Sequence, residues 1–287
     1  MRVQKLSSTD GFIAFDLEGA PAVGVVRLAP KVLRDGAELL ARSTTYAAAS
    51  FGLKVSGGSA GLNAKPDARA DALAAFTTEV SELVESGTWL PGPGNGIGAD
   101  DLAALPKADA RAAAFDTVTT GESAVAAALG ALGTLEGKAL AVVGGGPVAE
   151  SATQSAQANG ATVTTDATFD AEADALLVAG KAGVLEHDLA VTVKARVVVP
   201  LTPVPVTARA LAILGRGGTT VLPDFLTTAG PLLAALDPDG GDAMGRVHDA
   251  VAHIAGQGPG AWMAAVTIAE DHLRTWQDAL PFGRPLA

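Results

Sequence analysis

Residues 139–149, reading Ala-Leu-Ala-Val-Val-Gly-Gly-Gly-Pro-Val-Ala, constrain this chain more than any other segment. Five small or aliphatic residues in a row suit a strand buried on both faces. The run empties into glycines, and Gly144 and Gly146 allow a tight turn with close approach of a pyrophosphate. Pro147 fits the first position of a helix, and Ala149 is small enough for that helix to lie against the strand. The helix is expected to run through Glu150 and Gln154 to Asn159 and to stop at Gly160. A phosphate beside Pro147 and Val148 would meet free N–H groups and the positive end of the helix dipole.

With 34 glycines in the chain, the G-x-G-x-x-A spelling says little by itself. Its context says more. Asp166 follows Ala161-Thr-Val-Thr-Thr165, where a second strand should end and where a carboxylate would hold a ribose hydroxyl. Residues 175–179, 195–199 and 219–222 are further strand candidates separated by helical stretches, the pattern of a parallel doubly wound sheet.

The upstream half reads differently. Residues 11–18 and 21–27 alternate as strands about a turn at Gly19, and residues 31–51 form a helix ending at Gly52. Residues 53–62 read as a strand breaking into glycines. A helix over 67–86 is expected, capped by Asp67, with Leu73, Phe76, Val80, Leu83 and Val84 on one face. Residues 89–98 read as loop, because two prolines and four glycines should leave no ladder intact. The crossing into the second domain is placed between Leu105 and Phe115, followed by a helix over 121–132. Past Gly258, Trp262, Ala265, Val266, Ala269, Leu273 and Trp276 recur at helical spacing, a packing stripe turned toward the first domain.

Bulk properties narrow the function classes. A chain of 287 residues with 48% hydrophobic and 18% charged residues has room for two packed domains. A net charge of −11 argues against nucleic acid and anionic membrane as partners. The absence of cysteine excludes disulfides, thiolate metal sites and a cysteine nucleophile. The N-terminal residues lack an apolar signal core and no apolar run reaches membrane-spanning length, so a cytoplasmic protein is expected.

Several segments, in shared order, resemble the glutamate, leucine, phenylalanine and valine dehydrogenases, most closely the leucine dehydrogenase branch. Pro21-Ala-Val-Gly24 with Arg27 is similar to that branch's P-A-L-G-G-T-R, and Leu40-Ala-Arg-Ser-Thr-Thr-Tyr46 to its L-A-x-x-M-T-Y-K. Gly57-Gly58 resembles its G-G-G-K. Residues 135–149 resemble L-E-G-K-x-V-A-V-Q-G-x-G-N-V-A, and Leu222-Pro-Asp-Phe-Leu-Thr-Thr-Ala-Gly230 resembles A-P-D-Y-V-I-N-A-G-G.

The resemblance implies an α/β chain of two domains, and the expected bounds follow it. Residues 1–112 form an α/β substrate and dimerisation-type domain. Residues 113–235 form a Rossmann-like doubly wound parallel sheet domain, shortened after its second strand. Residues 236–287 form C-terminal helices packing back on the first domain. The resemblance further implies NAD as cofactor, a small-molecule ligand in the interdomain cleft, and a homo-oligomer, most simply a dimer.

Carried over position by position, it also implies a stripped reaction centre. The lysine that holds the substrate carboxylate falls on Ala47, the catalytic-base lysine on Ser59, and the proton-transfer aspartate on Gly94. The asparagine before A-G-G falls on Thr228, and the paired pocket glycines become Gly24 and Val25. Ordinary amino-acid deamination is therefore not expected, because a buried α-carboxylate without its lysine carries a desolvation cost of several kcal/mol. Lys54 and Lys65 flank the site and are read chiefly as solvated loop lysines. On the cofactor side, Asp174 follows Asp166 so closely that a helix and strand of the family are missing. Asp166 and the acidic run 170–174 would repel a 2′-phosphate, favouring NAD over NADP. Thr120 matches a family threonine near the nicotinamide carboxamide.

Other constellations carry less. Gly57-Gly-Ser-Ala-Gly61 spells the G-x-S-x-G nucleophile elbow, and Asp224 with His248 or His253 gives a triad order, but Pro66 interrupts the helix an elbow needs. The four histidines make no metal signature. Residues 181–183 and 200–205 follow strands, where ligands gather in such sheets, the second as a stiffened loop. Two functions stay open: an NAD-dependent oxidoreductase acting on an imine or carbonyl lacking a carboxylate, and a non-catalytic relative serving as a binding or structural subunit.

Overall fold

In a computed structural model of the chain, residues 1–236 and 241–287 are described. Residues 237–240, at the head of the expected C-terminal segment, lie outside them. The first half builds a mixed sheet from β1 (Arg2–Lys5), β2 (Gly11–Phe15), β3 (Ala22–Ala29), β4 (Ser56–Asn63) and β5 (Trp89–Pro93), in the order β1-β2-β4-β3-β5. Helix α1 (Arg34–Ser50) joins β3 to β4, and α2 (Arg69–Glu85) joins β4 to β5. The β3–β4 and β3–β5 pairs are parallel, while β1–β2 and β2–β4 are antiparallel. Phe76, Val80 and Val84 of α2 pack with Ile13, Val26, Leu62 and Trp89 in one core.

Three expectations for this half need correction. Residues 89–93 are a strand rather than loop. The Thr88 carbonyl accepts the Ala22 N–H at 2.9 Å, so even-numbered residues bond toward β3, and Pro91 and Pro93 fall on the outward side of an edge strand. There a missing N–H costs no ladder bond. The glycines of β4 lie within the strand instead of breaking it: a Cβ on Gly57 would sit 1.7 Å from the Ala41 carbonyl oxygen, so α1 can cross the sheet there only over glycine. Asp67 caps nothing; a 3-10 turn over Pro66–Ala68 leads into α2, whose N-cap is Ala68.

The second half opens with α3 (Ala108–Ala114) and α4 (Thr117–Leu132). Helix α4 begins before the expected residue 121, because the Asp116 side chain caps it by accepting the Thr119 N–H at 2.8 Å. Then follow β6 (Ala139–Val143), α5 (Pro147–Ala158), β7 (Thr162–Thr164), β8 (Ala175–Val178), α6 (His187–Ala190), β9 (Val197–Pro200), α7 (Ala208–Arg216) and β10 (Thr220–Val221). All five strands are parallel, in the order β10-β9-β8-β6-β7. The short passage from Asp166 to Asp174 makes β7 an edge and puts β8 directly against β6. The point where chain order reverses therefore lies between β6 and β8, where such sheets bind ligands.

The chain closes with α8 (Asp224–Thr227), α9 (Gly230–Leu236), α10 (Ala243–Ala255) and α11 (Ala261–Arg274). Tyr46 of α1, Phe225 of α8 and Trp262 of α11 stack edge to face at 5.6 and 5.9 Å, tying the two halves together. A buried ion pair reinforces the join. Arg42 of α1 reaches Asp16 at 2.6 Å and donates to the carbonyls of Phe282 and Gly283 beyond α11.

Candidate functional site

Gly144 turns the chain out of β6 with φ 87°, and a Cβ there would lie 2.1 Å from the Ala179 carbonyl oxygen. Only glycine allows the ends of β6 and β8 to close up in this way. Nothing lies within 4 Å of where a Cβ on Gly145 or Gly146 would be, so this backbone is open to an approaching group. Pro147 begins α5, and the first N–H bonded within it is that of Glu150, to the Gly146 carbonyl at 3.0 Å. The amides of Val148 and Ala149 come before that bond and have no partner in the helix. Asp166 follows β7 at φ 52° and is exposed. It lines a pocket of about 300 Å³ together with Gly144, Gly145, Gly146 and Glu150. Residues twenty apart in sequence thus meet where the spacing expects them.

A second cavity, of about 530 Å³, lies between the two sheets. Its walls come from β3 (Val23, Gly24, Val25), from α1 (Ser43, Thr44, Ala47) and from Gly94 and Ile97 after β5. Thr120, Pro147, Val148, Thr202, Thr228 and Leu232 close it from the other side. No titratable side chain lines it among the described residues. Most of its hydroxyls are also committed, that of Thr117 at the start of α4 apart. Thr44, Thr120, Thr202 and Thr228 donate to the backbone carbonyls of Leu40, Asp116, Gly180 and Asp224, leaving lone pairs but few protons for a ligand.

Ser43 is the exception that leads to a charge. Its hydroxyl donates to Asp224 Oδ2 at 2.6 Å, and the same oxygen accepts the Val204 N–H at 2.9 Å. Burial pushes the Asp224 carboxyl up to about 6, against the lowering pull of these two hydrogen bonds. Val204, held at φ 55° between Pro203 and Pro205, is a β-branched residue in left-handed backbone, and Asp224 anchors its amide. The sequence reading missed this pairing, since Ser43 and Asp224 lie 181 residues apart.

The positions named from the resemblance separate into two groups. Ala47, Gly94, Gly24 and Val25 line the cleft, and Thr228, Thr120, Pro147 and Val148 face them across it. Ser59 does not: it is 1% exposed inside β4 and turns its hydroxyl onto the Val25 carbonyl of the neighbouring strand at 3.2 Å. Gly94 leaves no room for a carboxylate side chain, because a Cβ there would meet the Val26 carbonyl oxygen at 2.7 Å.

The nucleophile elbow is overturned by the same placement. Ser59 sits mid-strand with no helix after it, and Asp224 bonds Ser43 instead of a histidine. His248 pairs with its neighbour Asp249, and His253 is exposed. Lys54 and Lys65 are exposed and line no part of the cleft. Among the described residues no group of three or more His, Asp or Glu could hold a metal ion, and no helix is long and apolar enough to cross a membrane.

A parallel-sheet domain with a glycine turn at its switch point, facing a second sheet across a cleft, defines a two-domain α/β fold with a Rossmann-like sheet. Neither a protein-family model nor a curated protein sequence matches the chain. Solved structures do. A hetero-hexameric glutamate dehydrogenase from Thermus thermophilus, in its Leu-bound form, superposes with a TM-score of 0.72 at 22% identity, covering 94% of this chain and 86% of that one. The L-tryptophan dehydrogenase of Nostoc punctiforme gives 0.68 at 21% identity, covering 96% and 97%. A Plasmodium falciparum glutamate dehydrogenase gives 0.74 at 14%, covering 96% and 82%. The chain has the amino-acid dehydrogenase fold.

Proposed function

We propose that the chain is an NAD-dependent oxidoreductase of amino-acid-dehydrogenase type whose substrate is an imine or carbonyl without a carboxylate beside the reacting carbon. The observation that carries this reading is the adjacency of the open glycine turn to an uncharged cleft, with Pro147 and Val148 at the boundary. The residues at the turn fit a dinucleotide. Gly145 and Gly146 leave room for the pyrophosphate, the Val148 and Ala149 amides and the α5 dipole complement its charge, and Asp166 offers an acceptor for a ribose hydroxyl. Asp166 and Glu150 give the pocket a negative rim, which favours NAD over NADP. Thr120, its proton on the Asp116 carbonyl, keeps a lone pair for a carboxamide N–H.

Bound coenzyme supplies or accepts a hydride. The chain's own part is to exclude water, to orient a carbonyl or imine against the Pro147 end of the cleft, and to refuse an α-carboxylate at Ala47. Ser43 is placed to exchange a proton with a ligand atom and to pass it to or from Asp224. Titration calorimetry with NAD and NADH tests the reading: binding that Gly146→Asp abolishes supports it, and no binding at millimolar coenzyme removes it. By the same likeness we take the chain to form a homodimer, which light scattering measures directly.

A non-catalytic relative acting as a binding or structural subunit is the second reading, favoured by the lack of any titratable side chain in the cleft wall. Turnover of any carbonyl or imine with oxidation of NADH, lost in Gly146→Asp, would rule it out.

A further inference from the structure

Arg27 stands apart from the other arginines drawn into the interior. Arg42 pairs with Asp16, while Arg111 donates to the carbonyls of Leu102, Leu105 and Pro106. Among the described residues Arg27 has no ion pair, and its one hydrogen bond is a long one, 3.5 Å from Nη2 to the Leu33 carbonyl. Its Nε is buried with no partner at all. Burial lowers its pKa from the usual guanidinium value. Nε alone of its nitrogens is buried without a partner, which leaves the Nη groups open to an acceptor other than the protein.

Its position says what that partner should look like. Side chains alternate along a strand, so Arg27 continues the row of Val23 and Val25, both of which line the cleft. Its stem runs beside Gly94, another cleft residue, whose Cβ would lie 3.2 Å from Arg27 Cγ. Its head rests against the first turn of α1, where a Cβ on Gly36 would lie 3.2 Å from Nη1. The apolar cleft therefore ends beside an unpaired, fork-shaped cation, and a planar guanidinium matches a carboxylate in two-point geometry.

We propose that Arg27 binds the carboxylate of an aliphatic acid whose apolar chain lies in the cleft, with the acid group at the Gly94 end and the other end of the chain toward Thr120. The inference rests on reading the cleft as the ligand site and not on the coenzyme. It also refines the substrate class: Ala47 leaves no cation for a carboxylate beside the reacting carbon, whereas Arg27 accepts one several carbons away.

Hexanoate and hexanol are the probes, titrated by ligand-observed NMR and calorimetry into wild type, Arg27→Gln and Arg27→Lys. Wild type should bind hexanoate about tenfold or more tightly than hexanol. Arg27→Gln should lose that preference with hexanol binding unchanged, and Arg27→Lys should keep part of it. Thermal melts of the variants verify that each is folded. Equal binding of acid and alcohol to wild type, an undiminished preference in a folded Arg27→Gln, or no binding of either probe overturns the proposal. NADH is titrated into the same samples by nicotinamide fluorescence. Hexanoate preference without NADH binding removes the coenzyme reading alone, and NADH binding without the preference removes the Arg27 assignment alone.

Discussion

The two pockets that meet at Pro147 and Val148 offer a ligand opposite things. At the glycine turn the groups are fixed by backbone: open amides, a helix terminus and a carboxylate on a left-handed residue. In the cleft between the sheets nearly everything is side chain, and the side chains are small, apolar or self-satisfied. Backbone sites survive wide changes of sequence, because the fold itself supplies the donors. Side-chain chemistry, by contrast, can disappear with single replacements, which is the reading proposed for Ala47 and Gly94. The contrast accounts for how the chain keeps a dehydrogenase fold and a nucleotide-shaped turn while lacking charge where an amino acid would bind.

The largest expected effect tests the price of an unpaired charge inside this molecule. Asp16→Ala leaves Arg42 buried with carbonyls alone and should cost about 3–5 kcal/mol in urea unfolding. A smaller loss would contradict the cost assigned to an unpaired charge in this interior. Asp224→Asn probes the buried carboxyl that Ser43 of the cleft wall holds. Because burial raises the folded carboxyl to about 6, the native state holds a proton that the unfolded chain releases above about pH 4. This group therefore adds stability as pH falls through 6 toward 4, on the order of 3 kcal/mol, and its contribution fades as pH rises past 6. Glu79, held down to about 2 by the Ser8 hydroxyl and, after it, the Ser7 and Ser8 amides, is lost only in stronger acid. The difference between wild type and Asp224→Asn in melts across pH 4–7 isolates the Asp224 share, and a pH-independent difference would remove it.

Ser43→Ala should cost about 1–3 kcal/mol and push the Asp224 carboxyl higher still, since it removes a hydrogen bond that lowers it. Carboxyl NMR of labelled aspartate reads this shift directly. The smallest effect is expected from Thr120→Val: its hydroxyl donates only to the Asp116 carbonyl, so stability should change by less than about 0.5 kcal/mol while NADH affinity falls a few-fold. Equal NADH affinity in that variant would place the carboxamide elsewhere.

Legibility in the sequence followed the same division. Strands β6, β8 and β9 are continuous apolar runs because both faces are buried, and the turn after β6 is spelled in glycines that backbone geometry demands. Residues 89–93 were unreadable as a strand because the prolines' tolerance depends on which side of an edge they fall, a fact of pairing rather than composition. The placement of Ser59 was equally hidden, since its hydroxyl is spent on the Val25 carbonyl of the neighbouring strand, a bond that exists only once β3 and β4 pair. Ser43 with Asp224, and Arg27 beside Gly94, meet only after the sheets assemble, and no local pattern marks either. The short passage from Asp166 to Asp174, by contrast, announced the missing strand that makes β7 an edge.

The central claim is that the turn at Gly144–Gly146 takes a dinucleotide beside a cleft that takes no amino acid. Calorimetric titration with NAD, NADP and leucine tests both halves in one series. The account predicts saturable NAD binding, NADP weaker by about tenfold or more, NAD binding abolished by Gly146→Asp, and no heat from leucine with or without NAD. Leucine binding in the presence of NAD, or silence from NAD itself at millimolar concentration, would contradict it.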